Sequence, residues 1–241
     1  MRNILLILLS VGLFESQVAL CQDKTDTIQR TLALNKITDV FNTQMDVQRG
    51  LYNGLEYYPY NRLFKGSANF LNEKDWKKAD VIYNQVLFKN VIAKYDLAKD
   101  LLVVLDTNTN ISFTPISERV SDFWLMDHHF VYLNIQNNII SPGFYDLRTD
   151  GKTKLYVKRS KTIKNTNDGV SALEKIFLER VDYYIEEEGS FYRINSKGSF
   201  LNFFKDKKAK VRDYLKQNKI NYSENNENYL IKGTMYYETL K

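Results

Sequence analysis

Short β-prone runs separated by turn residues fill the middle of the chain, from about residue 80 to residue 162. Runs rich in Val, Ile, Leu, Phe and Tyr recur about every eight to twelve residues, and Asn, Asp and Lys stand between them. Strands at this spacing without intervening helices indicate an antiparallel meander, stacked as a sandwich or closed into a partial barrel. We therefore predict a β-rich core over about 80–195.

The turn residues of two hairpins in this core predict the pairing register of their strands. Because glycine reaches positive φ at little cost, residues 149–151 are predicted to form a three-residue loop that pairs Phe144 with Tyr156. This register keeps the apolar side chains on one face, and a shift by one residue would exchange the two faces. By the same reasoning a second hairpin, with residues 187–189 as its three-residue turn, pairs Ile185 with Phe191.

Helical spacing replaces the strand pattern towards both ends of the chain. Apolar residues between Asp26 and Met45 recur at roughly helical intervals, which predicts a short N-terminal helix. A helical pair is predicted over about 199–240, and the second helix begins near Ser223 with acidic residues in its first turn, where they suit the helix dipole. The buried stripe of the first helix is predicted to consist of Leu201, Phe204, Val211 and Leu215.

The first residues have the pattern of an export signal. Arg2 precedes an apolar run of about ten residues, which is too short to span a bilayer. Ala19 and Cys21 then supply the small residues of a signal peptidase cleavage site. We predict a secretory signal peptide over 1–21, cleavage after Cys21, and a mature protein that is periplasmic or secreted, with no transmembrane span. The alternative is a lipoprotein anchored at Cys21, although Leu20 is larger than the residue that lipoprotein processing requires.

Composition favours one folded domain after the signal. Cys21 is the only cysteine, so the mature chain forms no disulfide and depends on the size of its core. Tyr (17) and Phe (14) are abundant, Pro (3) is scarce, and no hinge rich in Gly, Ser or Pro divides the chain. We predict a single α+β domain over 22–241 with a short N-terminal helix, a central antiparallel sheet and a C-terminal helical hairpin.

The formal charge of +5 is concentrated in the last part of the chain. Residues 152–241 contain 19 Lys and Arg against 12 Asp and Glu, whereas the preceding part is net negative. One strand alternates apolar residues with a basic, aromatic face that could bind an anionic polymer by charge and stacking: Lys152, Lys154, Tyr156 and Lys158. Lysines on an exposed strand also prevent edge-to-edge aggregation, which is the commoner reason for them. The sequence does not identify a partner; an envelope protein, an anionic glycan and lipopolysaccharide are candidates, and nucleic acid is not expected.

Recognisable catalytic and metal-binding motifs are not found. His128 and His129 are adjacent, so on a strand they point to opposite faces, and only in a turn could they share an ion with Asp127. The sequence has no nucleophile elbow, zinc-protease helix, phosphate loop or dinucleotide fingerprint. A catalytic pair of carboxylates remains possible, because a glycosidase needs only two carboxyl groups and no longer sequence motif. Asp122, Asp127 and Asp146 are the candidates. We expect no catalytic residue, no metal and no cofactor.

Several short segments occur together along the chain: Leu51–Gly54, Lys65-Gly66 with Phe70-Leu71, Gly143–Tyr145, Asp150–Lys154, and a tail from Tyr183 to Ile220. In combination they resemble a group of uncharacterised exported β-rich proteins of Bacteroidetes-type bacteria. The resemblance covers nearly the whole mature chain and contains no catalytic signature. It implies export and a β-rich architecture with C-terminal helices, and it carries over no site residue.

By elimination, the sequence favours an exported, non-enzymatic envelope or secreted interaction protein. The alternative is a secreted or periplasmic hydrolase that acts on glycan or peptide through carboxylates that sequence cannot pair. A deep pocket with two converging carboxylates would favour the hydrolase, and an aromatic or basic surface would favour the binding protein.

Overall fold

A computed structural model describes the chain over residues 50–61, 63–165 and 174–241, all within one unit, Gly50–Lys241. The predicted signal peptide, its cleavage site and the N-terminal helix over 26–45 lie outside these residues. Strands make up most of the regular structure, and the α-helices follow them in sequence. The described part of the chain is therefore an α+β fold, as predicted.

Twelve strands form one sheet in the described residues. They are β1 (Leu55–Glu56), β2 (Phe64–Lys65), β3 (Lys77–Tyr83), β4 (Val86–Asp96), β5 (Leu101–Asp106), β6 (Ile111–Thr114), β7 (Val120–Leu125), β8 (His128–Leu133), β9 (Gly143–Asp150), β10 (Thr153–Asn165), β11 (Lys175–Glu187) and β12 (Ser190–Ile194). Their order is β1-β6-β5-β4-β3-β7-β8-β9-β10-β11-β12, and β2 joins β11. All pairs are antiparallel except β2 with β11. The predicted antiparallel sheet is confirmed, whereas the predicted sandwich or partial barrel is not, because the strand order is that of one open sheet.

Three α-helices cover one end of this sheet: α1 (Lys197–Phe203), α2 (Lys208–Gln217) and α3 (Asn226–Glu238). The side chains of Ser196 and Asn225 cap α1 and α3 by accepting backbone N–H bonds. The predicted stripe is confirmed, since Leu201, Phe204, Val211 and Leu215 are all buried. The first predicted helix is split, because Lys205 has a φ of 48° and a 3-10 turn separates α1 from α2. No helix in the described ranges is long and apolar enough to cross a membrane.

The first part of strand β10, residues 153–161, is buried on both faces, whereas its last four residues are exposed. Leu155 and Val157 pack beneath the helices, whereas Tyr156 points the other way and packs with Tyr145 and Phe191. A third hydrophobic cluster, rich in phenylalanine, is formed mainly by side chains of strands β3 to β9. Alternation along β10 therefore separates two buried layers, rather than a buried face from a solvated one.

Both predicted hairpin registers are wrong. Tyr156 pairs with Leu147 instead of Phe144, and the ladder between β9 and β10 shifts after Leu155, whose N–H donates to the Thr149 side chain at 2.9 Å. The loop lies over residues 151–153, two residues later than predicted, because Lys154 pairs with Asp150, and the irregularity leaves Arg148 without a ladder partner.

The second hairpin is shifted by one residue, and Ile185 pairs with Tyr192 instead of Phe191. Its turn has two residues, Glu188 and Gly189, with φ values of 52° and 78°. Positive φ at both central positions is the geometry of a two-residue hairpin turn. The prediction placed only the glycine in that region of backbone space and so made the loop one residue too long.

Candidate functional site

A pocket of about 370 Å³ opens where the segment around residues 57–69 crosses the sheet beside β4, β5, β6 and β11. A volume of this size suits a small ligand. Five aromatic side chains line it, and we call it the aromatic pocket: Tyr57, Tyr60, Phe64, Trp76 and Phe177. No carboxylate is among its described lining residues.

Three of these rings pack against one another. Tyr60 lies 4.9 Å from both Phe64 and Phe177, measured between ring centroids, and Phe64 stacks on Phe177 at 5.5 Å. The backbone fixes this arrangement, because Phe64 on β2 is the ladder partner of Lys175 on β11, two residues before Phe177. The Lys175 N–H also donates to the carbonyl of Leu63 at 2.8 Å. The parallel pairing of two distant segments thus builds one wall of the pocket.

A buried carboxylate holds the two tyrosines. Asp96 is fully buried and accepts hydrogen bonds from the hydroxyls of Tyr57 at 2.9 Å and Tyr60 at 3.5 Å. It also accepts the backbone N–H groups of Ala98 at 2.8 Å and Lys99 at 3.1 Å. Burial, followed by the charge of Asp96, raises the pKa of both tyrosines well above its ordinary value. Both phenols therefore remain protonated donors at neutral pH.

A buried ammonium positions the backbone beneath the pocket. Lys161 on β10 is 5% exposed, and its Nζ donates to the carbonyl oxygens of Ser67 and Asn69, each at 2.8 Å, and to the side chain of Asn72 at 2.7 Å. An ammonium has three N–H donors, so these contacts satisfy all of them. Ser67 and Asn69 line the pocket, and Lys161 therefore fixes its floor to the central sheet.

Ammonium groups also lie over the aromatic walls. The Nζ of Lys94, itself a lining residue, is 4.5 Å from the centre of the Trp76 ring. Lys99 lies over the rings of Tyr57 and Tyr60 at 4.5 and 4.9 Å, and Lys175 lies over Phe64 at 5.2 Å. Among the described residues, none of these three lysines has a carboxylate oxygen within 4.0 Å. Burial lowers the pKa of Lys94, and Asp75 and Glu73 only partly oppose this shift.

The predicted basic strand face is not one open surface. Lys158 Nζ lies 2.5 Å from Asp100 Oδ2 and donates to the Phe144 carbonyl at 2.9 Å, and Tyr156 is only 5% exposed. Lys154 lies near two carboxylates, at 3.8 and 4.0 Å, and Lys152 is exposed at the turn before β10. The row therefore has fewer free charges than its sequence suggests. Binding of an anionic polymer by these four residues stays a prediction.

The candidate catalytic carboxylates lie apart from the aromatic pocket. Asp122 Oδ1 is 2.8 Å from His129 Nε2, and the buried Asp146 is 2.7 Å from His128 Nδ1. Asp127 is exposed in the turn between β7 and β8, with a φ of 62°. The adjacent histidines thus contact different acids. In the described ranges, no three side chains of the metal-ligating types come together.

A buried ion network explains the position of Asp146. Its Oδ2 accepts from Arg159 at 2.6 Å, and Arg159 also pairs with Glu227 of α3. Arg148 Nε lies 3.1 Å from the second Glu227 oxygen. Two acids and two guanidinium groups balance in charge, which a buried network requires. These contacts join β9 and β10 to α3 and give Asp146 a structural role.

The pocket residues were not identified as a site from sequence. The Tyr57–Tyr60 segment suggests only an irregular stretch held by its tyrosines, and Trp76 and Phe177 lie in no motif. A high local density of aromatic residues was the one available signal. Their association depends on the pairing of β2 with β11 and on the contacts of Asp96 and Lys161, which join segments far apart in sequence.

No protein-family model matches the chain, and neither a curated protein nor a solved structure matches it. A functional proposal therefore rests on the geometry of the pocket.

Proposed function

We propose that this is an exported, non-enzymatic binding protein whose ligand site is the aromatic pocket. The observation that carries the proposal is a cavity of about 370 Å³ walled by five aromatic side chains, with no carboxylate among its described lining residues. Ligand pockets of this size are typically lined by apolar and aromatic groups with few polar ones. Export rests on the apolar run and exit residues within 1–21.

The pocket is held in its shape by buried polar contacts. Asp96 fixes Tyr57 and Tyr60, Lys161 fixes the floor, and Phe64 and Phe177 hold each other. Side chains that are already ordered lose little conformational entropy when a ligand binds. This preorganisation supports a binding role for the pocket rather than a purely structural one.

The contacts of the acids argue against the hydrolase alternative. Glycoside hydrolysis needs two carboxyl groups facing one bond, one of them able to give a proton. Asp96 accepts two phenol and two backbone donors, and Asp146 is bonded to His128 and Arg159. Neither acid is a lining residue of the pocket. The hydrolase would need carboxylates other than these two.

The proposal is tested with N-phenyl-1-naphthylamine, a neutral aromatic dye whose fluorescence increases on entering an apolar site. We expect saturable binding with one site per chain, weakened at least tenfold by Phe177→Ala. Tyr192→Ala is the matched control, because Tyr192 is an exposed aromatic of β12 and does not line the pocket. Absence of binding, or equal loss in both variants, would overturn the proposal.

A further inference from the structure

The faces of the pocket's rings are already occupied by cations of the same chain. Ammonium groups lie over four of the five aromatic walls: Lys94 over Trp76, Lys99 over Tyr57 and Tyr60, and Lys175 over Phe64. All four distances are within the roughly 6 Å at which a cation is attracted by a ring. Of these three lysines only Lys94 lines the pocket, which therefore combines aromatic walls with one ammonium group.

This arrangement disfavours a cationic ligand. An aromatic cage that recognises an ammonium ligand offers ring faces free of other cations. Here an incoming cation would compete with lysines for rings that they already contact, and it would be repelled by Lys94, which lines the pocket. An anion would meet attraction from the same groups.

Lys94 is the cation best placed to meet such an anion. It lines the pocket, and its Nζ donates to the carbonyl of Lys74 at 2.5 Å, which leaves two of its three N–H donors for other acceptors. No carboxylate of the described chain lies within 4.0 Å of it. A partly desolvated ammonium gains more from an anion than a fully hydrated one does.

The other wall has the opposite character. Phe177 is the one lining ring over which no ammonium group of the described chain lies, so that side of the pocket offers apolar ring surface for a flat group. A ligand that satisfies both walls has a planar apolar body and a negative charge near Lys94. We infer that the aromatic pocket binds an aromatic carboxylate or sulfonate, an inference that rests on the proposed binding function of the same pocket.

A matched pair of dyes tests the inference. 8-Anilinonaphthalene-1-sulfonate carries one sulfonate, and N-phenyl-1-naphthylamine is the same fluorophore without it. We expect Lys94→Gln to weaken binding of the sulfonate dye at least fivefold more than it weakens binding of the neutral dye. Lys94→Arg should restore most of the sulfonate affinity. Lys210→Gln is the charge-matched control, since Lys210 is exposed on α2, and it should leave both dyes unaffected.

The outcomes separate this inference from the proposed function. If the neutral dye binds in the pocket but Lys94→Gln affects both dyes equally or neither, the pocket binds ligands and the anion inference is wrong. An equal effect of Lys210→Gln on sulfonate binding would also overturn it, because the attraction would then come from net charge alone. If neither dye binds, the proposed function fails together with the inference. Thermal unfolding of each variant shows whether it is folded.

Discussion

The hydroxyl of Tyr57 donates a hydrogen bond of 2.9 Å to the carboxylate of Asp96, which is fully buried at the end of β4. This contact joins the irregular segment that carries much of the aromatic pocket to the central sheet. The segment has little regular structure of its own, with only the two-residue strands β1 and β2 nearby. Its conformation therefore depends on side-chain contacts such as this one.

Removing this hydroxyl should destabilise the fold and loosen the pocket. We expect Tyr57→Phe to lower the free energy of unfolding by about 1–2 kcal/mol, because a half-buried bond to a charged acceptor is lost. Tyr58→Phe is the control: the hydroxyl of the exposed Tyr58 donates to the exposed Glu56, so its removal should change the free energy of unfolding by no more than about 0.5 kcal/mol. Urea unfolding measures both. Equal effects of the two variants would contradict the role given to Asp96.

The buried tyrosine of β10 should make stability depend on alkaline pH. Burial, followed by the charges of Glu186 and Asp150, raises the pKa of Tyr156 to about 12. In the unfolded chain a tyrosine ionises near pH 10, so the unfolded state releases this proton first and the stabilising contribution falls as pH rises from about 10 to 12.

The variant Tyr156→Phe isolates this effect from the lysines that titrate in the same range. The difference in free energy of unfolding between the wild type and Tyr156→Phe should be constant below pH 9 and should shift in favour of the variant above pH 10. Urea unfolding at a series of pH values gives this difference. A difference that does not change with pH would show that Tyr156 is accessible to water in the folded protein.

Two helical glycines should respond in opposite directions to alanine. A Cβ at Gly233 would lie 2.7 Å from the ring of Phe200, whereas a Cβ at Gly198 would lie 3.6 Å from its nearest neighbour, the Ser196 hydroxyl. We expect Gly233→Ala to destabilise by about 1–2 kcal/mol, since overpacking exceeds the gain in helix propensity. Gly198→Ala should be neutral or stabilise by up to about 1 kcal/mol. Stabilisation of both would mean that α3 can move away from Phe200.

Local periodicity was sufficient to predict the helical stripe from Leu201 to Leu215, because those contacts repeat along one element. It failed for Tyr156, where lysines on either side suggested a solvated face although β10 is covered on both sides. Those lysines lie near acids from other parts of the chain, such as Asp100, in the turn before β5, for Lys158. The acidic partners of these lysines come from other segments, so the sequence of β10 alone does not show that its charges are balanced.

The aromatic pocket shows the same limit more strongly. Trp76 and Phe177 reach one cavity only through the pairing of β2 with β11 and the crossing segment between residues 57 and 69. A strand pairing of two residues leaves no detectable pattern in sequence. Its position is set by Lys161 and Asp96, whose partners can be identified only after the fold is known.

The most direct test of the binding proposal follows the two tryptophan indole N–H signals by NMR during titration with N-phenyl-1-naphthylamine. The chain has only two tryptophans, Trp76 in the pocket and Trp124 on β7, and Trp124→Phe assigns the two signals. We predict that the Trp76 signal shifts and saturates with the same Kd as the dye fluorescence, while the Trp124 signal stays in place. A shift of Trp124 alone, or no shift of Trp76 at saturating dye, would contradict the proposal that the aromatic pocket is the ligand site.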